Sequence, residues 1–215
     1  MERSHHESAE RIRSSIVLSE VTPQRFKEAL LSVPFFDRDA WVDTLLGLGA
    51  LPDDGPELPR GCVPYLPCPV DALLRFVEEL AVGPADVVID VGSGIGRAAV
   101  VLHLLTGASV VGLEVQPRLV SAARELAMRL NLSGCTHLEG DAVELASSMS
   151  EGTVFFLYCP FSGERLERVL EQIELIARTR SIRVGCVDMP PLSRPWLTPS
   201  ASPEGDLVAY RSRTR

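Results

Sequence analysis

Apolar residues recur along this chain with two different periods, and the change between them divides it. From residue 22 to about residue 80 the spacing is helical. In "TPQRFKEALLSV", Thr22 is placed to cap a helix and Pro23 to occupy its first position, with Phe26, Ala29, Leu30 and Val33 on one face. A second helix is predicted from Asp37, with Trp41, Leu45 and Leu48 on its apolar side and Gly49 as its stop. A third opens at Pro69, turns Val70, Leu73, Leu74, Val77 and Leu80 inward, and ends at Gly83-Pro84. Between the second and third stand Pro52, Pro56, Pro59, Pro64 and Pro67, which exclude regular helix and interior strand. This long loop reads as a lid. Residues 1–20 are mostly polar, with a first apolar run only at Ile16 to Leu18, and read as a mobile tail.

From residue 86 the period alternates between strand and helix. "DVVIDV", "ASVVGLEV", "CTHLEGD", "TVFFLYCP" and "SIRVGCVDM" read as strands, and 95–105, 117–130 and 163–178 as helices between them. This order predicts an α/β fold: a Rossmann-like, doubly wound, mostly parallel sheet with right-handed crossovers. "PWLTPSASPEGDLVAYRS" adds a C-terminal antiparallel hairpin at the sheet edge. The expected organisation is a tail (1–20), a helical appendage with the Pro-rich lid loop (21–68) and a ligand-binding domain (69–215).

Composition narrows the classes of partner. A net charge of −8 over 215 residues disfavours nucleic acid held by bulk electrostatics. No run is long enough to span a membrane, and no secretory signal precedes the first helix. Cys62, Cys68, Cys135, Cys159 and Cys186 are scattered and odd in number, with no CxxC or Cys/His spacing. Neither a disulfide framework nor a metal site is expected, and a reducing, cytoplasmic setting fits. The His5–His6 pair reads as part of the tail.

The candidate chemistry sits at "VVIDVGSGIGRAAV". Ligands of open α/β sheets bind at the carboxyl ends of the strands, and this turn follows the first of them. Gly92 and Gly94 permit torsions and close approaches closed to other residues, and Gly96 lets the next helix pack near the strand. The spacing is G-x-G-x-G, and Arg97 stands where a dinucleotide fingerprint wants its third glycine. Asp90, two residues before the turn, would repel a pyrophosphate and suit a cationic or zwitterionic ligand. Glu114 ends the second strand, twenty residues beyond Gly94, where an acid can accept both ribose hydroxyls. Asp141 follows the third strand, placed for an adenine amino group, with the backbone of Ala142 against the ring. Singly, Glu114 also reads as a solvated strand end and Asp141 as a helix cap. Together they line a cleft fitting an adenosine that carries an amino acid and a positive centre.

"VVIDVGSGIGRAAV…VVGLEVQP…LEGDAVE" resembles the class I, seven-β-strand S-adenosylmethionine-dependent methyltransferases over about residues 61–190. "VPYLPCP" and "GLEVQP" are similar to stretches in bacterial methyltransferase-domain proteins akin to protein-lysine methyltransferases. The resemblance implies S-adenosylmethionine as cofactor, contacted by Asp90, Gly92, Ser93, Gly94, Gly96, Glu114, Asp141 and Ala142, with Tyr65 over or beside it. The methyl group would emerge at "FLYCPFSG", where Tyr158 and Phe161 form an apolar wall round an amine, and Tyr158 also reaches the cofactor. Cys159-Pro160 reverses the Pro-Cys order of thiolate-dependent enzymes. His103 and His137 read as structural, and no general base is assigned. The implied activity is methyl transfer to an acceptor amine on a protein side chain or a small molecule. The alternatives are a binding protein that keeps the pocket without transfer and, more remotely, a nicotinamide-dependent oxidoreductase.

Overall fold

The computed structural model describes residues 3–49, 54–55, 58–200 and 205–213. Seven strands form one sheet in the order β3-β2-β1-β4-β5-β7-β6: β1 Val87–Val91, β2 Ser109–Glu114, β3 Cys135–Glu139, β4 Val154–Tyr158, β5 Arg183–Val187, β6 Leu197–Pro199 and β7 Leu207–Ser212. β1 to β5 run parallel, while β7 pairs antiparallel with both β5 and β6. The predicted hairpin is therefore present, with its second strand against the sheet and its short first strand at the edge. Strand order reverses between β1 and β4, so the turn after β1 opens into the crevice there. An antiparallel β7 inserted beside β5 also departs from the 3-2-1-4-5-6 order of dinucleotide folds.

Side chains alternate across the central strands and build a core on each face. Val88, Val154 and Phe156 face α4 (Val70–Glu79) and α5 (Arg97–Thr106). Ile89, Val91, Phe155 and Leu157 face α7 (Gly163–Ala177), whose Val169, Leu170 and Ile173 are buried. α6 (Pro117–Arg129) packs along β3 and β2. Phe76 of α4 meets Phe156 edge-on, with ring centroids 4.8 Å apart, in space left by Gly185.

The N-terminal region corrects the expected mobile tail. Arg3–Val17 is a helix, α1. Ala9, Ile12 and Ile16 share one face and are buried; three apolar residues among charged ones are too sparse a stripe to stand out in the sequence. α2 (Pro23–Leu31) starts as predicted, Thr22 Oγ1 accepting from the Arg25 N–H at 3.3 Å. α3 (Arg38–Leu46) stops two residues earlier than expected, at left-handed Gly47 (φ 62°) instead of Gly49, where the missing side chain also admits the Arg13 guanidinium. α1 to α3 share one continuous hydrophobic core with α4 and α5.

Candidate active site

The glycine turn is shaped by close neighbours. Gly92, Gly94 and Gly96 all have left-handed φ, at 80°, 52° and 77°. A Cβ on Gly94 would strike the ring of Tyr65, and one on Gly96 would lie 2.7 Å from His137 Cε1. The N–H groups of Gly92 and Ser93 donate to the Leu113 carbonyl, tying the turn to β2.

Glu114 is buried at the end of β2. Its Oε2 accepts from the Gly94 N–H at 2.9 Å and its Oε1 from the Gln116 N–H at 2.8 Å. Burial pushes its pKa up, and these backbone donors pull it partly back. Asp90 is only 2% exposed, and its Oδ2 has no hydrogen-bond partner. Burial, followed by the nearby Glu114 charge, pushes its carboxyl up to about 7. Asp141 does two jobs: Oδ1 accepts from the Val143 N–H at 3.0 Å, and the carboxylate pairs with Arg165 of α7. Sequence reasoning missed Arg165, since nothing local marks which residue of α7 points back over β3.

A cavity opens at the carboxyl ends of the strands. Its floor includes Gly92, Glu114, Asp141, Ala142, Tyr158, Phe161 and Arg165. Leu58, Cys62, Val63, Pro64, Tyr65 and Leu66 of the Pro-rich loop form its other wall, as a roof. With the loop in this position the enclosed volume is about 70 Å³, below the roughly 300–1,000 Å³ of small-molecule sites. Of the predicted residues, Tyr65, Gly92, Glu114, Asp141, Ala142, Tyr158 and Phe161 line this cavity, while Asp90, Ser93, Gly94 and Gly96 do not. A Cβ on Gly94 would meet the Tyr65 ring, and Asp90, Ser93 and Gly96 are buried.

The roof is tied down at three places. Gln116 Nε2 donates to Asp54 Oδ1 while its Oε1 accepts from the Gly55 N–H, each at 2.8 Å, and Asp54 also accepts from the Tyr65 N–H. Cys62 forms a β-bridge with Phe161, and the Val63 N–H donates to the Pro160 carbonyl. Downstream, Arg97 donates through Nη1 to the Cys68 carbonyl (2.7 Å), through Nε to Asp43 (2.7 Å) and through Nη2 to Asp39 (2.9 Å). Arg97 thus does more than occupy a glycine's place in a dinucleotide motif: it joins the turn, the roof and α3. Asp39 and Asp43 also escaped sequence reasoning, because their partner lies more than fifty residues away.

At the end of β4, Tyr158 is partly buried, and burial pushes its hydroxyl up to about 12. Phe161 is buried beside it. Burial and then Asp188 push the Cys159 thiol upward, against a thiolate nucleophile. His103 Nδ1 lies 2.8 Å from the Ala108 carbonyl, a structural contact.

The cofactor implied by this arrangement fits what is there: a left-handed glycine cradle, a buried acid at the β2 end, and an orphaned carboxylate oxygen on Asp90. The fold and the crevice resemble those of class I S-adenosylmethionine-dependent methyltransferases. Residues 83–182 match a family model described as a methyltransferase domain. Among solved structures, an RNA methyltransferase from Salinibacter ruber in complex with S-adenosyl-L-homocysteine is 28% identical, covering 68% of this chain and 92% of its own, with a TM-score of 0.57. A putative caffeoyl-CoA O-methyltransferase from Staphylococcus aureus shares the fold at 11% identity, 70% and 86% coverage and a TM-score of 0.54. So does a mutant MtNAS in complex with S-adenosylmethionine, at 15%, 68% and 62%, with a TM-score of 0.56. A comparison with curated proteins finds no match. Among the described residues no helix is long and apolar enough to cross a membrane.

Proposed function

We propose that this protein transfers the methyl group of S-adenosylmethionine to an amine, on a protein side chain or a small molecule. The observation that carries the acceptor class is the wall at the end of β4: Tyr158 and Phe161 line the crevice, and burial raises the pKa of both thiols there, Cys62 and Cys159. Aromatic faces attract an ammonium group, and the low-polarity surroundings lower its pKa toward the neutral, nucleophilic form. The bound cofactor supplies an electrophilic methyl group. This chain's residues bind, orient and exclude water. Glu114 accepts from the ribose hydroxyls, Asp141 and Ala142 flank the adenine, and Asp90 faces the amino-acid end. Residues 21–68 cover the cofactor, with Tyr65 on the glycine turn.

A second reading, RNA as acceptor, is favoured by the likeness to the Salinibacter enzyme; the net charge of −8 works against it. One experiment separates the readings. The protein is incubated with methyl-labelled S-adenosylmethionine and a cell lysate, and the label is resolved by size with and without ribonuclease. Label in protein or small molecules supports an amine acceptor, and ribonuclease-sensitive label supports RNA. S-adenosylhomocysteine binding with no label in any fraction would identify a binding protein without transfer.

A further inference from the structure

Arg165 is out of place on its own helix. It stands in the first turn of α7, just after the N-cap Ser162, where the helix dipole disfavours a cation. Ser162 makes no side-chain cap bond. Three and four positions further along stand Arg168 and Val169, so α7 sets no acid ahead of Arg165 on its own face. The partner comes from elsewhere in the fold: Arg165 Nη1 donates to Oδ2 of Asp141, just beyond β3. The two side chains are only 23% and 22% exposed. Both line the crevice, and Arg165 is the sole lysine or arginine among its described lining residues, which include the acids Glu114 and Asp141.

Asp141 is thereby held at both oxygens, since its Oδ1 accepts from the Val143 N–H at 3.0 Å. The carboxylate cannot turn about its bond to Cβ without losing one of these donors. A carboxylate has about four lone-pair sites, so acceptor capacity is left for a ligand in the crevice. The turn that carries Arg165 is itself fastened to the roof, where Cys62 bridges Phe161 and the Ser162 N–H donates to the Gly61 carbonyl at 3.3 Å. A carboxylate fixed in this way accepts from an amino group and repels a carbonyl oxygen in the same place. Sites built to meet a polar group discriminate strongly against an analogue that lacks it.

We propose that Arg165 is a positioning residue that fixes Asp141 to read the amino group of the adenine, so that the pair sets the preference of the crevice for adenine over a 6-oxo purine. This role rests on the methyltransferase reading, in which Asp141 meets the adenine. It explains why a cation stands at the wrong end of α7: its placement serves the crevice and not the helix.

The test is calorimetric affinity of the full chain for S-adenosylhomocysteine and for S-inosylhomocysteine, its analogue with a carbonyl in place of the amino group. Wild type should prefer the adenosine compound by roughly ten- to a hundredfold, the size of one hydrogen bond to a charged group. In Arg165→Met that preference should fall at least about fivefold, while affinity for the inosine compound changes less than about twofold, because only the reading of the amino group is lost. The urea midpoint should barely move, since a partly exposed ion pair adds little to stability. Arg165→Gln serves the same test if the methionine variant does not fold. An undiminished preference in the variant overturns the proposal. So does an equal loss for both ligands, which would mark Arg165 as merely structural. Asp141→Ala separates this from the reading beneath it. If it abolishes the preference and Arg165→Met does not, the adenine assignment stands and only the role of Arg165 fails. If wild type binds the two compounds equally, the adenine assignment itself is wrong and the proposal falls with it.

Discussion

Asp90→Asn tests how this site trades stability for binding. In the folded protein without ligand the Asp90 carboxyl sits near 7, against an ordinary 3.8, because it is buried and faces Glu114. The folded state therefore holds a proton that the unfolded state releases between pH 4 and pH 7. Stability falls as pH rises through that window and stays low above it. The difference corresponds to at most about 4 kcal/mol at pH 8 and to less than about 1 kcal/mol at pH 4. Asparagine keeps the shape and cannot ionise, so Asp90→Asn should be more stable than wild type by that amount at pH 8, the gap closing toward pH 4. Urea unfolding of both proteins at several pH values measures it, and other titrating groups cancel in the difference. The same variant should lose affinity for S-adenosylhomocysteine, whose ammonium no longer meets a carboxylate. A stability difference that does not change with pH would refute the argument that Asp90 is buried without a partner.

Glu114→Gln should weaken S-adenosylhomocysteine binding by about 1.5–3 kcal/mol, roughly ten- to a hundredfold, as charge-assisted bonds are lost; unchanged affinity by calorimetry would put the ribose elsewhere. Gly94→Ala should cost at least about 1 kcal/mol from its left-handed backbone and should abolish the thermal shift with ligand by displacing Tyr65, while a normal shift would mean the ring is not held there. Replacing Asp39 and Asp43 together by Ala leaves the buried Arg97 guanidinium unpaired and should destabilise the fold by about 3–5 kcal/mol. A loss under about 1 kcal/mol in urea would show that the clamp is ornamental.

The elements of the sheet domain were legible because their signals are local. Val87–Val91 is a mostly β-branched run followed by glycines, Thr22 and Pro23 open a helix where they stand, and the three acids each fall at or just beyond the carboxyl end of a strand. Where local signals were thin, reading failed: the stripe Ala9, Ile12, Ile16 was hidden among charges, and the stop of one helix fell at Gly47 instead of the expected Gly49.

What the sequence determined by itself was the order of strands and helices from residue 22 onward, the left-handed turn at Gly92 to Gly96, and the position of Glu114 beside it. Each of these follows from torsional preference and periodicity over a few residues. Only the tertiary structure decided which charges meet across long separations: Arg97 with Asp39 and Asp43, Arg165 with Asp141, Gln116 with Asp54. It also decided that Tyr65 seats on Gly94 and that His137 lies over Gly112. Those pairings depend on how strands are ordered in space and how a proline-rich loop crosses their ends, and no spacing along the chain encodes that.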